Sequence, residues 1–167
     1  HAHGSGLPER LRFMSTPLLL KGFEVELFTG RDDGSHVGVA AEVAQELADF
    51  VTEPDHRNLE YITAPTSSYA ELPELLLQPR RRLRDWLQQR NLTLLPGSTL
   101  SRGDTRQFER SDPTNPYHDL IEQSYGTRVV TASIHINLGI TDPEWLFAAV
   151  RLVRCEASLL LALSASS

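Results

Sequence analysis

Val129-Val130-Thr131-Ala132-Ser133-Ile134-His135-Ile136-Asn137-Leu138-Gly139-Ile140 is the stretch on which the fold turns. In an extended chain Val130, Ala132, Ile134, Ile136, Leu138 and Ile140 fall on one side. Thr131, Ser133, His135 and Asn137 fall on the other. Alternation this regular predicts a strand with one face in a core and the other lining something wet. Leu18 to Phe28 repeats the pattern, with Phe23, Val25 and Leu27 on one face and Glu24 and Glu26 on the other. Arg57 to Thr63 reads as a further strand, and Thr93 to Thr99 as a short one ending at Pro96-Gly97.

Helical signals lie between these strands. Val39, Val43, Leu47 and Phe50 form one stripe of a helix over 39–50. Ser68 suits the N-cap of a helix from Tyr69 toward Arg90, with Glu71 in the capping-box position and a break expected at Pro79. Arg80, Arg81, Arg82 and Arg84 then form a solvated basic face. Thr29 to Ser35 is a turn, and Ser101 to Asn115 is a long polar loop of the kind that covers binding sites. Thr141-Asp142-Pro143-Glu144 starts a last helix toward Ala162, whose end is apolar nearly all round and needs cover on every side. That ending reads as a cut through a larger domain. The opening His1-Ala2-His3-Gly4-Ser5-Gly6 reads as a tag scar or linker, with residues 1–13 outside the fold and a start at Met14.

The net charge of −6 disfavours a general nucleic-acid or anionic-membrane surface. The single cysteine, Cys155, excludes an internal disulfide and suits a reducing, cytoplasmic setting; its place in a helix reads as a packed thiol. No Gly-x-Ser-x-Gly elbow and no Walker-type glycine loop occur, and clustered Cys and His for zinc are missing. What the sequence offers is carboxylates. Glu24 and Glu26, two apart on a strand, have Cα atoms roughly 7 Å apart on one face. Like charges this close call for a cation or a shared proton. Glu-x-Glu is equally an ordinary solvent-facing strand edge. Glu53 and Glu60 flank the turn Pro54-Asp55-His56-Arg57-Asn58, and His135 and Asn137 sit on the polar face of the last strand. If these strands neighbour one another, the wet face becomes a multi-carboxylate metal site with one histidine.

Several stretches together resemble the cyanobacterial-type glutamate–cysteine ligases. They are Lys21-Gly-Phe-Glu-Val-Glu-Leu27, Pro54-Asp-His-Arg-Asn-Leu-Glu-Tyr61, Pro96-Gly-Ser-Thr-Leu-Ser101 and Ser111-Asp-Pro-Thr-Asn-Pro-Tyr-His118. Tyr125-Gly-Thr-Arg-Val-Val-Thr-Ala-Ser-Ile-His-Ile-Asn137 and Arg151-Leu-Val-Arg-Cys-Glu-Ala157 complete the set. The resemblance implies an α+β, glutamine synthetase-like fold, a curved antiparallel sheet with helices on one face. Residues 14–167 would be the N-terminal part of that catalytic domain. It also implies a chemistry: ATP phosphorylates the γ-carboxylate of glutamate, and the amine of cysteine attacks the acyl phosphate, the first step of glutathione synthesis. Mg2+ and ATP are the implied cofactors.

Carried over by position, Glu24, Glu26, Glu53, Glu60 and His135 match the metal ligands, although an Asp is more usual at Glu53. His135 and Glu60 match the catalytic residues, His135 and Glu26 the nucleotide side, and Asn137 the substrate-side amide. Family members are considerably longer. The remaining half should supply another metal carboxylate and phosphate-binding arginines, so the chain alone is expected to be inactive. Alternatives are a related ligase with another amine acceptor, a metal-dependent hydrolase, and a fragment serving only as an assembly module.

Overall fold

The computed structural model describes residues 19–102 and 105–164. The expected tag and the start at Met14 lie outside them. The order is β1 (Leu20–Gly30), α1 (Ala40–Glu46), β2 (Phe50–Thr52), β3 (Asn58–Ile62), α2 (Leu72–Gln88), β4 (Thr93–Leu95), α3 (Pro116–Tyr125), a 3-10 turn (Gly126–Val129), β5 (Ile134–Gly139), α4 (Pro143–Cys155) and α5 (Ala157–Ser164). This is the expected α+β class, built on an antiparallel sheet.

β1 is the spine of the sheet. One edge pairs with β3 along Glu24–Phe28, and β2 lies outside β3. The other edge pairs with β5 along Leu20–Val25 and then with β4 along Phe28–Gly30. Gly30 is required there: a Cβ would stand 2.2 Å from the Ser35 carbonyl oxygen and 2.4 Å from a Leu95 methyl.

One face of β1, β2 and β3 carries Val25, Leu27, Leu59, Tyr61 and Phe50 into the main core. α1 adds Ala40 and Val43, and α2 adds Leu83, Trp86 and Leu87. Leu83 and Leu87 are fully buried, each stabilising the fold by about 1.5–3 kcal/mol. The tyrosine hydroxyl of Tyr61 donates to the Leu76 carbonyl at 2.9 Å, so its polar end is satisfied. A second cluster, Phe28, Phe108 and Val130, forms at one end of the opposite face, with Ile121 of α3 packed on it.

Several expectations give way to tertiary packing. The 39–50 helix stops at Glu46, and Phe50 reaches the same core from β2. Helix α2 starts at Leu72 without a side-chain cap, because Glu71 Oε2 instead accepts from Thr66 Oγ1 at 2.6 Å. It also runs on past Pro79, which is buried. Burial of Leu83, Trp86 and Leu87 beyond that point outweighs the missing hydrogen bond. The described residues of the 101–115 stretch are largely loop as expected, and α3 follows at once, with Asn115 Oδ1 accepting from Tyr117 N at 2.9 Å. The expected cap at Asp142 is present, accepting from Trp145 N at 3.0 Å. The basic face is exposed; Arg82 pairs with Asp49, and Arg81 approaches Glu74 at 3.9 Å.

The largest departure is at the far edge. Ile134 and Ile136 are each 63% exposed, because α1 and α2 lie over β1 to β3 and leave β5 uncovered. Cys155, expected to be packed, is exposed, as are Trp145, Phe147 and Leu161. A groove of about 680 Å³ lies between Leu20, Gly139 and Ile140 on one side and Trp145 and Leu152 of α4 on the other. Among the described residues no helix is long and apolar enough to cross a membrane.

Candidate functional site

The register brings the sequence-predicted residues together. Glu24 stands opposite His135 on one side, and Gly22 stands opposite Asn137. Glu26 stands opposite Glu60 on the other side, and Val51 is the next position across from Glu60. Partners directly opposite in an antiparallel pair share a face. Glu24, Glu26, Glu60, His135 and Asn137 therefore all rise from the face turned away from the main core. Glu53, two residues beyond Val51, reaches the same place from the end of β2.

Two groups of potential ligand atoms result. Glu24, Glu60 and His135 form one; Glu26, Glu53 and Glu60 form the other, with the ligand atoms of each lying within 4.8 Å of one another. Glu60 belongs to both. It is also the buried member, 8% exposed, whereas the His135 side chain is 52% exposed.

The hydrogen bonds show which oxygens are already engaged. Glu26 Oε2 accepts from the Ser133 backbone at 2.8 Å and from the Ser133 hydroxyl at 3.0 Å. His135 Nδ1 lies 3.0 Å from Glu24 Oε2, and Asn137 Nδ2 donates to Glu24 Oε1 at 3.0 Å. The Ser133 hydroxyl also lies 3.1 Å from His135 Nε2. Ser133 had not stood out in the sequence as a site residue. Its signal was there, two positions before His135 on the polar side of the alternation.

Crowding shows in the proton affinities. Burial, then the Glu26 and Glu60 carboxylates, push Glu53 up to about 7. Burial, then Glu24 and Glu26, also raise Glu60. His135 opposes both shifts. Several carboxylates that resist joint ionisation form a donor set a hard divalent cation would relieve. An all-oxygen set with one imidazole suits Mg2+ or Mn2+ and not a thiolate-seeking metal.

Beside Glu53 lies a cavity of about 160 Å³, walled by Pro54, Phe108, Tyr117, Ile121 and Val130. The turn that follows Glu53 is held from within. Asp55 and Arg57, each 2% exposed, pair through Arg57 Nε and Nη2, both at 2.8 Å. The sequence placed these two residues in a turn and gave no sign that they were buried.

No curated protein matches the chain in sequence. Among solved structures the chain is similar to a bifunctional glutathione synthetase from Pasteurella multocida, with a TM-score of 0.61 and 20% identity. The match covers 80% of this chain and 19% of that one. At that identity the likeness is one of fold, and the chain spans about a fifth of that protein's length. The family model for glutamate-cysteine ligase family 2 matches residues 20–167, from the first residue of β1 onward. The chain belongs to glutamate-cysteine ligase family 2.

Proposed function

We propose that residues 14–167 form the N-terminal part of a glutamine synthetase-like catalytic domain. In this reading it belongs to a cytoplasmic ligase that joins the γ-carboxylate of glutamate to the amine of cysteine, using ATP and Mg2+. The observation that carries this reading is the position of Glu60, buried and shared between two ligand groups on one sheet face. Family membership supplies the reaction class.

Glu24, Glu26, Glu53, Glu60 and His135 would hold the metal ions. Bound magnesium would offset the charge that phosphates and carboxylates accumulate during phosphoryl transfer. The chain's own residues set the stage for that step. Glu26 Oε2 is held by two donors from Ser133, which would leave Oε1 for a ligand. His135 would offer a ring nitrogen to a metal or donate to a phosphate oxygen. Asn137 exchanges its bond to Glu24 for one to substrate. Glu53, raised to about 7, would bind a cation in competition with its proton. The cavity beside it suits an acceptor with a short side chain, such as cysteine. ATP would transfer its γ-phosphoryl group to the glutamate γ-carboxylate and release ADP; the acceptor amine would then attack the acyl carbon, losing a proton and expelling phosphate. The rest of the protein would contribute the phosphate-binding cations.

The test is ADP release by the full-length protein supplied with ATP, Mg2+ and glutamate, with cysteine or other amines in turn. Cysteine-dependent release supports the reading. Release with another amine and never with cysteine moves the protein to a related ligase. Turnover without ATP points instead to a hydrolase.

A further inference from the structure

We propose that the buried Asp55–Arg57 pair is a positioning device. It fastens the Gln107–Ser111 segment across the Glu53–Arg57 turn, setting Glu53 against the metal face and Phe108 against the neighbouring cavity. This rests on the metal reading of the carboxylate face.

The pair does more than neutralise itself. Asp55 Oδ1 accepts from Arg57 N at 3.0 Å and from Arg57 Nε at 2.8 Å. Asp55 Oδ2 accepts from Arg57 Nη2 at 2.8 Å and from Glu109 N at 3.0 Å. Arg57 Nη2 also donates to the Gln107 carbonyl at 2.7 Å. The two residues thus grip the backbone on both sides of Phe108. His56 N donates to the Glu109 carbonyl at 2.6 Å, and Ser111 N donates to the Pro54 carbonyl at 3.0 Å. The Ser111 hydroxyl donates to the Glu53 carbonyl. One segment is therefore tied at one end to the residue carrying a candidate metal ligand, while its middle carries a wall of the cavity.

A buried ion pair is weak evidence for stability, because apolar residues of the same volume often do as well. Its value here lies in direction. A planar guanidinium and a carboxylate fix angles that an apolar pair would leave loose. Neither side chain belongs to the ligand groups, so both would act through Glu53 and Phe108.

Arg57→Lys, Asp55→Asn and Ser111→Ala test the idea in the full-length protein, with the exposed Arg90→Ala as control. Folding is checked by circular dichroism, Mn2+ affinity by titration, and KM is measured separately for the acceptor amine and for ATP. Folded Arg57→Lys should bind Mn2+ about tenfold more weakly, the lower end of the effect of a residue that orients a ligand. Its acceptor KM should rise by a similar factor while the ATP KM changes less than about twofold. Arg90→Ala should change neither. If Arg57→Lys and Asp55→Asn fail to fold, Ser111→Ala reads the same link and should weaken Mn2+ binding. Unchanged Mn2+ affinity and acceptor KM in the folded variants overturns the positioning role alone. No Mn2+ binding by the unaltered protein overturns the metal reading and this inference with it.

Discussion

β3 and β5 flank the same strand, carry the same alternation, and end in opposite surroundings. On β3, Leu59 and Tyr61 are 0% and 2% exposed beneath α1 and α2. On β5, Ile134 and Ile136 point to the same side of the sheet and are 63% exposed. Alternation specifies which face a side chain takes; cover depends on a second layer whose placement is a tertiary matter. The candidate site inherits the contrast. Its β3 wall, Glu60, is buried and has a raised proton affinity, and its β5 wall, His135, is open.

The contrast can be broken by substitution. Leu83→Ala, beneath the β3 half, should destabilise the protein by about 2–5 kcal/mol in urea unfolding. A loss below about 1 kcal/mol would mean that the covered half is not the stabilising one. At the site, Glu60→Gln removes the carboxylate common to both ligand groups. It should weaken Mn2+ binding by more than the roughly 10–100-fold expected for a residue that merely orients a ligand. His135→Gln, on the open wall, should weaken it less. Equal losses would place the two walls on the same footing.

A pH titration sharpens the same division. Glu53 has its proton affinity raised from 4.5 to about 7, chiefly by burial. A carboxyl raised on folding contributes stability that is full below its unfolded value and is lost as pH rises through the folded one. Without divalent cations, the urea midpoint should therefore fall between about pH 4.5 and 7 as Glu53 ionises beside Glu26 and Glu60. Mg2+ should reduce that fall, and Mn2+ affinity should climb over the same interval as the competing proton leaves. A midpoint that rises through this window without metal would contradict the crowding. The smallest effect belongs to the open edge. Ile136→Ala should change stability by no more than about 0.5 kcal/mol, because the side chain has little cover to lose.

Much of the site was legible in the sequence because strand periodicity is local. Glu24 and Glu26 on one face, and His135 with Asn137 on one face, needed only the period of two. That Glu24 meets His135 while Glu26 meets Glu60 was not legible, since pairing partners depend on long-range register. A helix from Tyr69 toward Arg90 was recognisable, but its start at Leu72 and its passage through Pro79 were not, because the latter depends on what Leu83 and Leu87 bury against. Asp55 and Arg57 read as turn residues, and only the fold shows them sealed beneath Gln107 and Glu109. Tag, linker and Met14 expectations fall outside the described residues.

β1 has a consequence for how such a chain can vary over time. It is paired on both edges, to β3 on one side and to β5 and β4 on the other. A one-residue insertion between Gly22 and Gly30 would turn every later side chain over, moving acids into the core and Phe28 out of its cluster. Substitutions that keep polarity are absorbed position by position, but a change of length has no local remedy. Across homologues, gaps should therefore be scarcer in this stretch than in the Arg31–Ser35 turn, even where residue identity has drifted.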